Sequence, residues 1–293
     1  MVQWRSFGTI SVAGEGASVD WEGLQGWFDE TLSSILENFD LKDIWNCDEL
    51  GLFYRQLPNK SLVRKSQPKP KGSKLRKDRV TVLLCGSATG ERFMPLIVGI
   101  ADNPRAFTAN KVRDGRIEHL GFVYKNNKTA WVTREFFEDY LRKLNSKMKK
   151  ENRHIAMILD NFQGHKIDDM SNLRLFFLPP NTTSHSQPFD GGIIKNFRDY
   201  FRMQMSADLM DRLPSFATAD DYYKGITLWE ASLWTVKADE SVTVQTRVNC
   251  FAHCRVSKDS TPPMTDQAAE NSQELQDFTV VFDDEDDPFE IEE

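Results

Sequence analysis

Four cysteines in 293 residues are too few for a disulfide framework, which argues against the small stapled scaffolds and for a reducing compartment. No apolar run comes near the eighteen or so residues that a bilayer-spanning helix needs, and no charged-then-apolar leader opens the chain. The expectation is an intracellular protein with no membrane partner. Also missing are a glycine-rich phosphate loop, a serine elbow and a cysteine nucleophile in a fitting context. Internal repeats are absent too. Basic residues are lacking in one place: from Asp259 onward there are thirteen acidic residues and no Lys or Arg. The formal charge of −7 therefore misleads about partners, since residues 1 to 258 carry +6. A mildly basic body is compatible with a polyanionic substrate.

What is present is a 40% apolar composition, enough for one large domain with appendages. Its organising stretch is Ile155 to Leu159, five apolar residues rich in branched side chains that read as a fully buried strand ending in Asp160. In open α/β sheets ligands bind beyond the carboxyl ends of strands, so Asp160 is placed for chemistry. Upstream, Asp43 to Gly51 reads as a short strand running into Asp48 and Glu49, with a second extended piece over Gly51 to Leu57. Downstream, a strand over Leu173 to Leu178 and a turn at Pro179-Pro180-Asn181 lead to Asp190, and Gly191-Gly192 opens a helix through Met205. Three carboxylates that converge cannot all stay ionised without cations, and hard oxygen ligands select Mg²⁺ or Mn²⁺ over zinc. Two such ions can hold the attacking and leaving oxygens of an in-line phosphoryl displacement.

Elsewhere Asp20 caps a helix whose stripe runs through Trp21, Leu24, Trp27, Phe28, Leu32, Ile35 and Phe39. Val80 to Cys85 and Phe93 to Ile100 form a hairpin across Gly86 to Gly90. Residues 101 to 132 are mixed and carry no assignment. Thr133 caps a helix reading Phe136, Phe137, Tyr140, Leu141, Leu144 and Met148, closing in lysines that suit its negative end. A helix is expected over 219 to 236 and another over Val242 to Cys254. Between Arg55 and Arg79 lie ten Lys or Arg residues against Asp78 alone, interleaved with prolines. Arg64, Lys65, Lys71, Lys74, Arg76 and Lys77 there suit phosphate contact without base discrimination, the plainer alternative being a solvated hairpin. Lys69 to Lys77 also reads as a nuclear import signal, which places the protein in the nucleus. Lys195, Arg198 and Arg202 can share one helix face toward DNA or solvent. Cys250, His253 and Cys254 cluster without the second pair a zinc site requires, so they read as packing groups. Trp229 and Trp234 read as core side chains before base-stacking ones.

Three segments carry a resemblance. Asn46-Cys47-Asp48-Glu49-Leu50-Gly51, Leu159-Asp160-Asn161-Phe162-Gln163-Gly164-His165, and Leu178-Pro179-Pro180-Asn181-Thr182-Thr183 followed by Gln187 to Ile194 resemble the DDE domain of pogo/Tigger-type transposases. These belong to the mariner superfamily and include relatives such as jerky and centromere protein B. The 29 residues between Asp160 and Asp190 suit a triad ending in Asp. Leu50 and Phe189 depart from the family's usual Thr and Leu without removing a carboxylate. The resemblance implies an α/β, ribonuclease H-like mixed sheet flanked by helices, with Asp48, Asp160 and Asp190 binding two Mg²⁺ or Mn²⁺ ions. Asn161 and His165 would orient the Asp160 loop or meet phosphate, a structural hydrogen bond being the alternative. Glu49, pointing away from Asp48, would be a supporting or surface group.

The implied organisation is a leading loop and helix (1–40), a catalytic domain (41–212), a helical extension (213–256) and a disordered acidic tail (257–293). The implied activity is metal-dependent DNA cleavage and strand transfer, with DNA as partner and a homodimer on it. The alternatives are a catalytically silent, host-adopted DNA-binding or protein-interaction module, and a ribonuclease acting on RNA–DNA hybrids. The helix-turn-helix segment that precedes this point in the family is expected to be lost, or to belong to a longer gene product.

Overall fold

A computed structural model of the chain describes residues 20–56, 78–110, 118–180, 182 and 186–258. Six strands form one mixed sheet: β1 (Ile44–Phe53), β2 (Arg79–Ser87), β3 (Arg92–Gly99), β4 (Val123–Asn126), β5 (Ile155–Leu159) and β6 (Leu173–Phe177). Their order is β4-β3-β2-β1-β5-β6. The pairs β1–β2 and β2–β3 are antiparallel, whereas β5 joins β1, β6 joins β5 and β4 joins β3 in parallel. An antiparallel meander extended by parallel strands beyond β1 is the ribonuclease H-like sheet that the resemblance implied.

β5 is buried along its whole length, which is why it reads as an unbroken apolar run, whereas β6 at the sheet edge exposes Arg174. On one face, alternate residues Ile44, Leu50 and Leu52 of β1 meet Ala156 and Ile158 of β5 and a layer of helices. That layer includes α1 (Trp21–Trp27), a π-helical turn (Phe28–Leu32) and α2 (Ser33–Asn38). Asp20 starts it, its carboxylate accepting from the Gly23 amide at 2.9 Å. Leu24, Phe28, Leu32 and Ile35 are buried along it, each contributing roughly 1.5–3 kcal/mol of transfer free energy. After a short α3 (Arg105–Ala109), α4 (Arg134–Lys150) covers the opposite face through Phe137, Tyr140, Leu141, Leu144 and Met148. Thr133 caps α4 as the sequence suggested. α4 is the crossover into β5.

Several expectations need correction. The chain does not break after Gly51 into a second extended piece. β1 continues to Phe53, because Gly51 and Leu52 pair with Thr81 and Val80. Asp48 consequently lies inside a strand and not at its end. Residues 101–132, unassigned from sequence, contain α3, a 3₁₀ turn (Glu118–Leu120) and the edge strand β4 within their described part. The single helix expected over 219–236 is two: α6 (Ala219–Gly225) and α7 (Leu228–Ser241), following α5 (Ile194–Arg212). Ile226 ends the first, and Thr227 begins the second, forming a capping box with Glu230. α8 (Val244–His253) closes the described body, within the range expected for it. Trp234 is buried and Trp229 packs edge-on against Phe107, so both serve the core.

Candidate functional site

Two strands of unequal length create the site. β1 and β5 pair in the register Ile44↔Ala156, Trp45↔Met157 and Asn46↔Ile158. Extending that register by two residues puts Asp48 level with Asp160, just where β5 stops and β1 runs on. A carboxylate beyond a strand end is easily solvated; Asp48, inside a strand and 8% exposed, is not.

Asp190 arrives from the opposite direction in the chain. It lies in an irregular π turn (Phe189–Ile193) leading into α5, and Gly192 makes the turn with φ +136°. A side chain there would be strained and would press on Cys250 Sγ at 3.2 Å. Asn46 fastens this turn to the sheet. Its side chain donates to the Ile158 carbonyl (2.9 Å) and accepts from the Phe189 amide (3.2 Å), joining β1, β5 and the Asp190 turn. It is fully buried. Sequence reasoning passed over Asn46, although an amide set in an apolar strand two residues before Asp48 was a usable signal.

The result is a crowded set of acids. The Asp48 carboxyl is held well above the usual carboxylate range, first by burial, then by the charge of Asp190, with Glu49 and Asp160 adding to it. It shares a hydrogen bond with the Asp190 carboxyl and accepts from the Glu49 amide at 2.8 Å. Asp160 is held by its Oδ1, which takes bonds from His165 Nδ1 and from the Phe162 amide (3.3 Å). His165 is 1% exposed, and its Nε2 donates to Glu49 at 2.9 Å. Burial lowers the imidazole's proton affinity, but Glu49 and Asp160 outweigh it and raise its pKa to about 10.

The donor set is all hard oxygen, of the kind that suits Mg²⁺ or Mn²⁺. Two carboxyls close enough to share a hydrogen bond must share a proton or a cation, so the Asp48–Asp190 pair fits an ion. Asp160 lies within the electrostatic reach of Asp48. Among the described residues, no three His, Cys, Asp or Glu side chains are close enough to enclose one ion together.

The remaining candidates divide. Arg64, Lys65, Lys71, Lys74, Arg76 and Lys77 lie outside the described residues. Lys195 is exposed near the start of α5, and Arg198 and Arg202 are half-buried on the same helix, Arg202 pairing with Asp199 at 3.6 Å. Asn161 is half-buried, with no hydrogen-bond partner among the described residues. Cys250 and Cys254 are buried against the Gly191-Gly192 turn, where Cys250 Sγ donates to the Gly191 carbonyl at 3.5 Å. No helix among the described residues is long and apolar enough to cross a membrane.

The family model described as DDE superfamily endonuclease matches residues 77–251. CENP-B homolog protein 2 of Schizosaccharomyces pombe is 30% identical over 286 residues, covering 91% of this chain and 52% of that protein. Tigger transposable element-derived protein 4 of Mus musculus is 30% identical over 178 residues, covering 60% and 33%. The chain thus spans about half or less of the length of these relatives. Among solved structures, the Mos1 mariner paired end complex with Mn aligns with a TM-score of 0.45 at 12% identity, over 83% of this chain and 68% of that one.

Proposed function

The chain belongs to the DDE superfamily endonucleases, and from that premise we propose that it is the nuclease domain of a transposase-derived protein, cutting DNA at Asp48, Asp160 and Asp190. One observation carries the reading: Asp48 is buried in direct contact with Asp190 and in the field of Asp160, so acids from three remote segments crowd together. Folding does not set acids beside a buried carboxyl such as Asp48 unless something else benefits, because burial and repulsion both cost free energy.

When bound, Mg²⁺ or Mn²⁺ supplies Lewis acidity and charge neutralisation for in-line displacement at phosphorus. Asp48, level with Asp160 and bonded to Asp190, would hold the ions together with those two carboxylates. The strand holds Asp48 rigidly, so its oxygens need little reorganisation when substrate enters. Lys195 and Arg198, on the helix that follows Asp190, are proposed to meet the DNA backbone, as are the basic residues between 55 and 79. A nuclear location and a dimer on DNA belong to the same reading.

The test is nicking of supercoiled plasmid by the full chain in Mg²⁺ or Mn²⁺, beside Asp48→Ala, Asp160→Ala and Asp190→Ala. Each variant should lose nicking; an unchanged rate in Asp160→Ala would refute the assignment. An RNA–DNA duplex in parallel separates a ribonuclease. A second reading is a catalytically silent DNA-binding module on the same fold. That module would bind DNA and cut neither substrate.

A further inference from the structure

We propose that Glu49 and His165 are positioning residues, holding Asp160 by one oxygen so that the other is left for an ion. The inference rests on Asp48, Asp160 and Asp190 being the cutting site. His165 is almost fully buried, yet both its ring nitrogens are engaged by carboxylates from different segments, Asp160 on one side and Glu49 on the other. The ring cannot turn freely, since Phe137 of α4 lies 4.4 Å from it at 35° and the edge of Phe162 meets it at 5.3 Å. All the hydrogen bonds that Asp160 accepts from described side chains and amides fall on Oδ1. Its Oδ2 has no such partner among the described residues.

The linkage does not stop at Asp160. Glu49 follows Asp48 directly, and its amide donates to Asp48 Oδ1 while its carboxylate receives His165. Because successive residues of a strand face opposite ways, Asp48 points toward Asp190 while Glu49 points toward His165. One dipeptide therefore registers two of the three carboxylates against each other, through a continuous chain from Asp48 to Asp160. A buried histidine whose role was only packing would need neither carboxylate, and an apolar ring against Phe137 would serve as well. Partners of this kind, standing behind a metal ligand, typically govern ligand orientation and 10–100-fold in metal affinity.

The test measures Mn²⁺ binding to the full chain from the electron paramagnetic resonance signal of free Mn²⁺. The binding lost in Asp48→Asn defines the site and separates it from ions held by the acidic tail. Glu49→Ala and His165→Leu should weaken binding at the site by about 10–100-fold. Glu49→Gln, which can still accept from Nε2, and His165→Asn, which can still donate to Asp160, should recover most of it. If the disruptive variants bind within twofold of wild type while Asp160→Asn has lost the site, the positioning role is overturned and the cutting site stands. It is equally overturned if the conservative variants bind as poorly as the disruptive ones, in step with lost melting temperature. If Asp160→Asn binds Mn²⁺ like wild type, the site reading falls and the positioning role falls with it. Glu49 is partly exposed, with 20% of its side chain accessible, so its variants report even if His165→Leu fails to fold.

Discussion

At the end of the sheet where β1 and β5 begin, Arg153 donates to Asp43 at 2.7 Å and to Glu91 and Glu151 at 2.9 Å each. Lys147 adds a further bond to Glu91. Nearby, Arg247 and Arg92 answer Asp239 at 2.5 and 3.2 Å. Where β5 ends, the pattern reverses, and Asp48 meets Asp190, Glu49 and Asp160. The two ends oppose each other electrostatically. Burial alone would raise the Glu91 carboxyl, but its bonds to Lys147 and Arg153 lower it on balance, whereas the carboxyl neighbours of Asp48 raise it further. Acids matched to bases hold the fold together; the Asp48–Asp190 pair, where the neighbours that raise Asp48 are acids, is where the proposed cation would act.

Changing each end in turn tests that contrast. The largest effect is expected at Asp48. Asp48→Asn should cut metal-dependent nicking by about 10³-fold or more, equivalent to about 4 kcal/mol in the barrier. Without divalent cations the same variant should melt higher by a few degrees, because an amide avoids the cost of burying a charge or of taking up the proton that the raised Asp48 pKa demands. Calorimetry with chelator present checks this, and a lower melting temperature would break the comparison.

Next is Asn46, which belongs to the framework of the site and not to its charge. Asn46→Leu leaves the Phe189 amide and Ile158 carbonyl buried without their partner. A loss of about 2–4 kcal/mol in urea unfolding is expected. At the opposite end, Arg153→Ala strands three acids that are partly solvated, so about 1–2 kcal/mol should be lost with nicking within twofold of wild type.

The smallest effect is a pH dependence. Because the folded-state pKa of Glu91 is depressed, its contribution is present above the unfolded value and fades as pH falls through the folded one. The difference in melting temperature between wild type and Glu91→Gln should therefore shrink between about pH 5 and pH 3. A difference that stays constant would show that the Glu91 pairs contribute no net stability.

The sequence shows much of this arrangement because strands buried on both faces leave a plain trace. Ile155 to Leu159 was visible as an apolar run, the strand expected over Leu173 to Leu178 was found despite the exposed Arg174 within it, and Thr133 was visible as a cap. Asp190 beside Gly191-Gly192 was legible through the glycines that the turn needs. Less visible were features that depend on partners far away in the chain. The continuation of β1 past Asp48 is decided by its pairing with β2, so a strand that looked finished at Gly51 was not. β4 is four residues long and exists because β3 offers it an edge. The role of Asn46 depends on Ile158 and Phe189, more than a hundred residues away, and that of Glu49 on His165. Local pattern cannot show a bond to a residue it does not yet place.

The central claim is that the crowded acids exist to hold cations. Crystals of the full chain soaked in Mn²⁺ and measured at the manganese absorption edge test it most directly. The account predicts anomalous density between Asp48 and Asp190, with a second peak toward Asp160, and neither peak in Asp48→Asn. Manganese bound only elsewhere on the protein, with the Asp48–Asp190 hydrogen bond undisturbed, would contradict it.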